Sequence, residues 1–85
     1  MIVMAELSLY PLHEGYGAEI LQFIEKIQSV SGISVETNAM STLITGEYDE
    51  IMRLLNKEIK AVFSALKAVI ILKISNGCLV NEQYE

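Results

Sequence analysis

The chain opens on a strict alternation. Val3, Ala5, Leu7 and Leu9 are apolar, while Met4, Glu6, Ser8 and Tyr10 occupy the positions between them. A period of two predicts a strand over Val3 to Tyr10 with one face buried and one polar. Pro11 has no backbone N–H and should end the ladder, and Gly15 and Gly17 mark a turn. From Tyr16 the period lengthens to that of a helix. Tyr16, Ile20, Phe23, Ile24, Ile27 and Val30 form one apolar stripe, and Gly32 stands where a helix C-terminal glycine belongs.

Ile33 to Thr37 reads as a second strand and Met40 to Thr45 as a third, joined through Asn38 and Ala39 as a hairpin. Gly46 breaks the pattern. Glu47, Asp49 and Glu50 then place negative charge at the start of a second helix, where the macrodipole favours it. Ile51, Leu54, Leu55, Ile59, Val62, Phe63 and Leu66 recur at helical spacing, and Asp49 can pair with Arg53 one turn on. That helix should end near Leu66. Val69 to Ser75 is short, β-branched and nearly apolar until Lys73, the signature of a fourth strand that is central or covered on both sides. Asn76-Gly77 is a turn, and Cys78 to Glu85 a tail or short extra strand.

The element order is therefore β, α, β, β, α, β. Right-handed crossovers turn this order into an α+β, ferredoxin-like βαββαβ sandwich, a four-stranded antiparallel sheet in spatial order 4-1-3-2 with two helices on one face. One domain spans 1–85, with 78–85 as its tail. The other sheet face stays bare and carries Met4, Glu6, Ser8 and Tyr10, joined by Val69, Ile71, Lys73 and Ser75.

Composition narrows the function classes. Hydrophobic residues are 52% of the 85, which is enough for a core, yet a domain of this size often gains stability by association. With a mean hydropathy of +0.38 and no apolar run near the roughly 20 residues of a bilayer span, the sequence points to a homodimer or homotetramer rather than to membrane insertion. The beginning of the chain lacks a signal-peptide pattern and Cys78 has no second cysteine to pair with, so a cytoplasmic location is expected. Eleven acidic against six basic residues give a net charge of −5, which disfavours nucleic acid as a partner and tolerates a small cation.

Four segments carry a family likeness. Ala5-Glu6-Leu7-Ser8-Leu9-Tyr10-Pro11-Leu12, Met40-Ser41-Thr42, Gly46 and Ser75-Asn76, in this order and spacing, resemble the YkoF-like proteins that bind thiamin and hydroxymethylpyrimidine. The resemblance implies a ferredoxin-like fold and a small-molecule ligand held without catalysis or cofactor, in a carrier or sensor linked to thiamin transport or salvage. It implies a ligand-binding set of Glu6, Ser8, Tyr10, Met40, Ser41, Thr42, Ser75 and Asn76. The founding type resembles a tandem of two such units, so an oligomer of this chain would rebuild what the tandem supplies. Relatives often carry Gly-Pro where Asn38-Ala39 stand here.

Glu6 is the most informative of these residues. A carboxylate in mid-strand is costly to bury unless it is paired. It is either a solvated group or a partner for Lys73, or it faces the amino group and positive charge of a ligand such as thiamin. Tyr10 would then stack on the ligand, with Ser8, Ser41 and Thr42 giving hydroxyl contacts, although hydroxyl residues at strand ends also serve the local backbone. Met40 doubles as a core filler. His13 and Cys78 are each single in the sequence, too few for a transition-metal site or a supported catalytic pair. A dimerisation domain that uses the open sheet face is the alternative function, and an enzyme is the least favoured class.

Overall fold

The computed structural model describes residues 1–13, 17–38 and 40–77, with the side chains of Glu19 and Ile20 outside the description. The readings made for Gly15, Tyr16, Ala39, the Ile20 side chain and the tail from Cys78 lie outside the described residues. The elements are β1 (Ile2–Pro11), α1 (Gly17–Gln28), β2 (Ser34–Thr37), β3 (Thr42–Glu47), α2 (Tyr48–Ala65) and β4 (Ala68–Ser75). Both expected hairpin strands and both helices are present. The sheet is antiparallel throughout, in the order β2-β3-β1-β4, with both helices on one face: the ferredoxin-like α+β arrangement.

The alternation of β1 decides the layering. Val3, Ala5 and Leu7 are buried and meet Ile44 of β3, Phe23 and Ile27 of α1, and Ile51, Leu54, Leu55 and Val62 of α2. Burying each of the larger of these side chains stabilises by about 1.5–3 kcal/mol, so this contiguous set holds the two layers together. Gly46 does not break β3. It lies within the strand beneath α2, where an added Cβ would come within 3.3 Å of Ile33 Cγ1 and 3.4 Å of Ile51 Cδ1. The glycine admits the helix.

Other local expectations need correction as well. Pro11 does not end the pairing with β4: it stands opposite Ala68, and the Leu12 N–H one residue on donates to the Lys67 carbonyl at 2.9 Å. α1 stops at Gln28, four residues before Gly32, whose φ of +85° serves the turn into β2. β4 is an edge strand rather than a central or covered one. Its apolar run reflects exposure on the open face at Val69 and Ile71, together with incomplete helix cover at Leu72 and Ile74. Finally, α2 is rotated relative to the sequence stripe. Phe63 is 53% exposed and Glu58 only 3%, because the buried positions run 51, 54, 55, 58 and 62. Met52, Ile59 and Phe63 instead overhang the β4 edge and form an open groove with Leu72.

The start of α2 is tied to the start of β1. Glu47 is the N-cap: its Oε1 accepts from the Asp49 N–H at 2.9 Å, its Oε2 accepts from the Met1 ammonium at 3.1 Å, and the Tyr48 N–H donates to the Met1 carbonyl at 2.8 Å. Arg53 pairs with Glu50 at 3.0 Å rather than with Asp49. The Asp49 N–H, followed by the Met1 ammonium, lowers the Glu47 carboxyl pKa below its ordinary value. A depressed folded-state pKa contributes stability that is present above the ordinary carboxylate range and lost as pH falls through the folded value. Glu47→Gln should therefore lower the melting temperature at neutral pH, and the gap to wild type should close in acid, as read from thermal melts across pH.

Candidate functional site

On the open face, cross-strand pairing sets the neighbours. Met4 lies opposite Ser75, Glu6 opposite Lys73, Ser8 opposite Ile71 and Tyr10 opposite Val69, while Glu6 faces Leu43 on its other side. Directly opposite pairs have their Cβ atoms about 4.5–5.5 Å apart, so side chains across the ladder touch. The face divides into two ends. Tyr10, Val69 and Ile71 make an exposed apolar end, and Glu6, Lys73, Ser75 and Ser41 make a polar one.

Glu6 is the centre of the polar end. Its Oε2 accepts a hydrogen bond from the Ser41 hydroxyl at 3.1 Å, and its Oε1 lies 3.7 Å from Lys73 Nζ. The two side chains of this ion pair are 42% and 78% exposed, so it is a loose surface pair of the kind worth at most about 1 kcal/mol. A cavity of about 240 Å³ opens beside it, lined by Met4 and Leu43 of the same face and by Lys73, Ile74 and Ser75 of the edge strand. One carboxylate oxygen is thus held by a neutral donor, and the other only by an exposed cation at longer range.

Ser41 reaches Glu6 because Asn38 shapes the connection between β2 and β3. The Asn38 Oδ1 accepts from the N–H groups of Met40 at 2.7 Å and Ser41 at 2.8 Å, and the Asn38 N–H donates to the Ser41 carbonyl at 3.0 Å. Asparagine favours such turns because its side chain imitates a backbone acceptor. The connection is therefore longer than Asn38 and Ala39 alone: β3 begins at Thr42, and Met40 and Ser41 belong to the turn.

The eight sequence-predicted site residues do not form one cluster. Glu6, Ser8, Tyr10, Ser41 and Ser75 share the open face, but Tyr10 is four residues from Glu6, about 13 Å along the strand, too far to stack on a ring that Glu6 holds. Thr42 faces the helices and is buried opposite Leu7. With Met40 and Ser41 it lines a separate cavity of about 180 Å³ against Phe23 and Ile24. Met40 is otherwise exposed, Ser75 Oγ accepts from the Gly77 N–H at 3.0 Å, and Asn76 lies exposed beyond the end of β4. The Met40-Ser41-Thr42 segment straddles the end of the sheet, with only Ser41 turned to Glu6. Among the described residues no three His, Cys, Asp or Glu side chains converge to hold a metal, and no helix is long and apolar enough to cross a membrane.

Residues 5–77 match the model of the family described as thiamine-binding protein. The chain belongs to this family. It is 34% identical over 71 residues to the UPF0045 protein MJ1052 of Methanocaldococcus jannaschii, covering 80% of this chain and 69% of that protein. Among solved structures, protein SP2199 of Streptococcus pneumoniae superposes with a TM-score of 0.85 at 24% identity, over 99% of this chain and 96% of that one. A Thermotoga maritima protein assigned provisionally to thiamine biosynthesis or salvage superposes with a TM-score of 0.77 at 24% identity, over the full length of both. These two likenesses establish the fold, and the family match carries the membership.

Asn38 was absent from the sequence-predicted site. Its signal was an asparagine two and three residues ahead of the amides it binds. Asn38→Ala removes the acceptor of two backbone N–H groups and should cost about 1 kcal/mol. Urea denaturation measures the loss, and faster hydrogen exchange confined to the Met40 and Ser41 amides shows that it is local.

Proposed function

We propose that this member of the thiamine-binding protein family binds thiamin or its hydroxymethylpyrimidine portion on the open sheet face, and that its role is binding rather than turnover. The observation that carries the reading is Glu6: a carboxylate standing over an apolar cavity of about 240 Å³, fixed on one oxygen by Ser41 and only loosely paired with Lys73 on the other. A ligand amino group donates to the carboxylate, the flat ring rests on Met4 and Leu43, and a positive ring takes over the charge that Lys73 now balances. Ser8 and Tyr10 lie further along β1 and meet the far end of a two-ring ligand. The provisional assignment of the Thermotoga maritima protein to thiamine biosynthesis or salvage agrees with this reading.

Glu6→Gln keeps the shape of the side chain and removes its charge. Thiamin binding should weaken by about 1 to 3 kcal/mol, the range for a hydrogen bond to a charged group, and the neutral pyrimidine should lose less. Calorimetric titrations of both ligands against both proteins measure this. Unchanged thiamin affinity in the variant would remove the site from Glu6.

The apolar end of the same face supports a dimer. Tyr10, Val69 and Ile71 are 48%, 47% and 49% exposed, side by side on one surface. A second copy of the chain laid on this end would cover them and wall the polar end, in line with the preference of small domains for symmetric association. Light scattering should show at least a dimer at micromolar concentration, and Ile71→Glu should shift it to monomer. A wild-type monomer would overturn the dimer.

A further inference from the structure

The helical layer carries a carboxylate that the sheet-face site does not use. α2 buries Ile51, Leu54, Leu55, Glu58 and Val62, so one of its five buried positions is acidic, and Glu58 is only 3% exposed. Among the described residues its carboxylate takes part in no ion pair or hydrogen bond. A charge kept this dry without a partner is costly, and a site that supplies the partner on binding recovers that cost.

Glu58 also borders open space. It forms part of the wall shared by two adjoining cavities between α1 and α2, of about 360 Å³ and 80 Å³, and Lys26 and Ala61 line both. The larger cavity is also lined by Val30 and Leu54 and by the charged Glu50, Arg53 and Lys57. Arg53 is engaged by Glu50 at 3.0 Å. Lys26 and Lys57 have no ion pair among the described residues. The cleft therefore combines a buried carboxylate, two exposed ammonium groups without an ion pair, the paired Glu50 and Arg53, and the apolar Val30 and Leu54. Its volume is at the small end of the range of about 300–1,000 Å³ for small-molecule pockets.

We infer that this inter-helix cleft is a second binding site, separate from the sheet face, for a small zwitterion of the aliphatic α-amino acid class. The ligand ammonium donates to Glu58, its carboxylate accepts from Lys57 and Lys26, and its aliphatic side chain lies on Val30 and Leu54. A simple cation would leave the two lysines unused. A simple anion would find Glu58 repelling it.

Three probes separate these chemistries: L-valine, isobutylamine, which keeps only the ammonium, and isobutyrate, which keeps only the carboxylate. In amide-resolved NMR titrations of the full chain, L-valine should produce saturable shifts along 26–30 and 53–61, isobutylamine should bind more weakly at the same place, and isobutyrate weakest of all. Glu58→Gln should reduce the affinity for L-valine and isobutylamine by about tenfold or more, as expected for a lost hydrogen bond to a charged group. Lys57→Met changes an exposed side chain and leaves the fold intact. It should weaken L-valine and leave isobutylamine unchanged, which decides the matter even if Glu58→Gln fails to fold. The inference is overturned if no amine probe gives saturable shifts in the cleft, if isobutyrate binds as tightly as L-valine, or if Lys57→Met leaves L-valine binding unchanged. Glu58 would then be a buried carboxylate with no ligand to bind. Thiamin titrated into the same samples is a separate readout, because its proposed site lies on the other side of the sheet.

Discussion

The central position of β1 is the constraint on which the rest depends. It pairs with β3 on one side and β4 on the other, so its alternation fixes which side of every neighbouring strand is dry. A slip of one residue in either ladder would put Glu6 into the core and Ala5 into water. The two helices can pack only where Val3, Ala5 and Leu7 point, and the bare face follows from that choice. One strand thus sets both the stability of the layer and the address of the site.

Much of this was legible in the sequence because two periods are easily told apart. The alternation of Val3 to Tyr10, the helical spacing of Ile51 to Val62 and the turn residues between gave the element order, and handed crossovers gave the topology. Less legible was how far each apolar stripe is covered. Phe63 and Glu58 exchanged places because α2 has more apolar positions than the sheet can bury, and its rotation is settled by packing against α1 and β3 rather than by composition. β4 looked like an inner strand because its residues are apolar, but apolarity at a sheet edge also occurs where something else comes to rest.

The site shows the same division. Face assignments for Glu6, Ser8, Tyr10 and Ser75 follow from strand alternation, and the structure keeps them together on one surface. Met40, Ser41 and Thr42 could not be assigned this way, since they lie where turn gives way to strand and alternation begins only at Thr42. Distance along the strand was equally hidden in a reading concerned with faces. Tyr10 shares a side with Glu6 without sharing its neighbourhood.

The turn at Asn38 gives the open face a part that does not belong to the ladder. Glu6, Lys73 and Ser75, the polar groups bordering the cavity, are carried on strands paired in register, whereas the Ser41 hydroxyl that holds Glu6 hangs from three local hydrogen bonds made by one asparagine. The molecule thereby separates durability from tuning. A change of a residue or two in this short connection can move the donor that holds the Glu6 carboxylate while the sheet and its register stay as they are. Relatives built on the same frame can diverge in what they hold through the stretch of chain that the core constrains least.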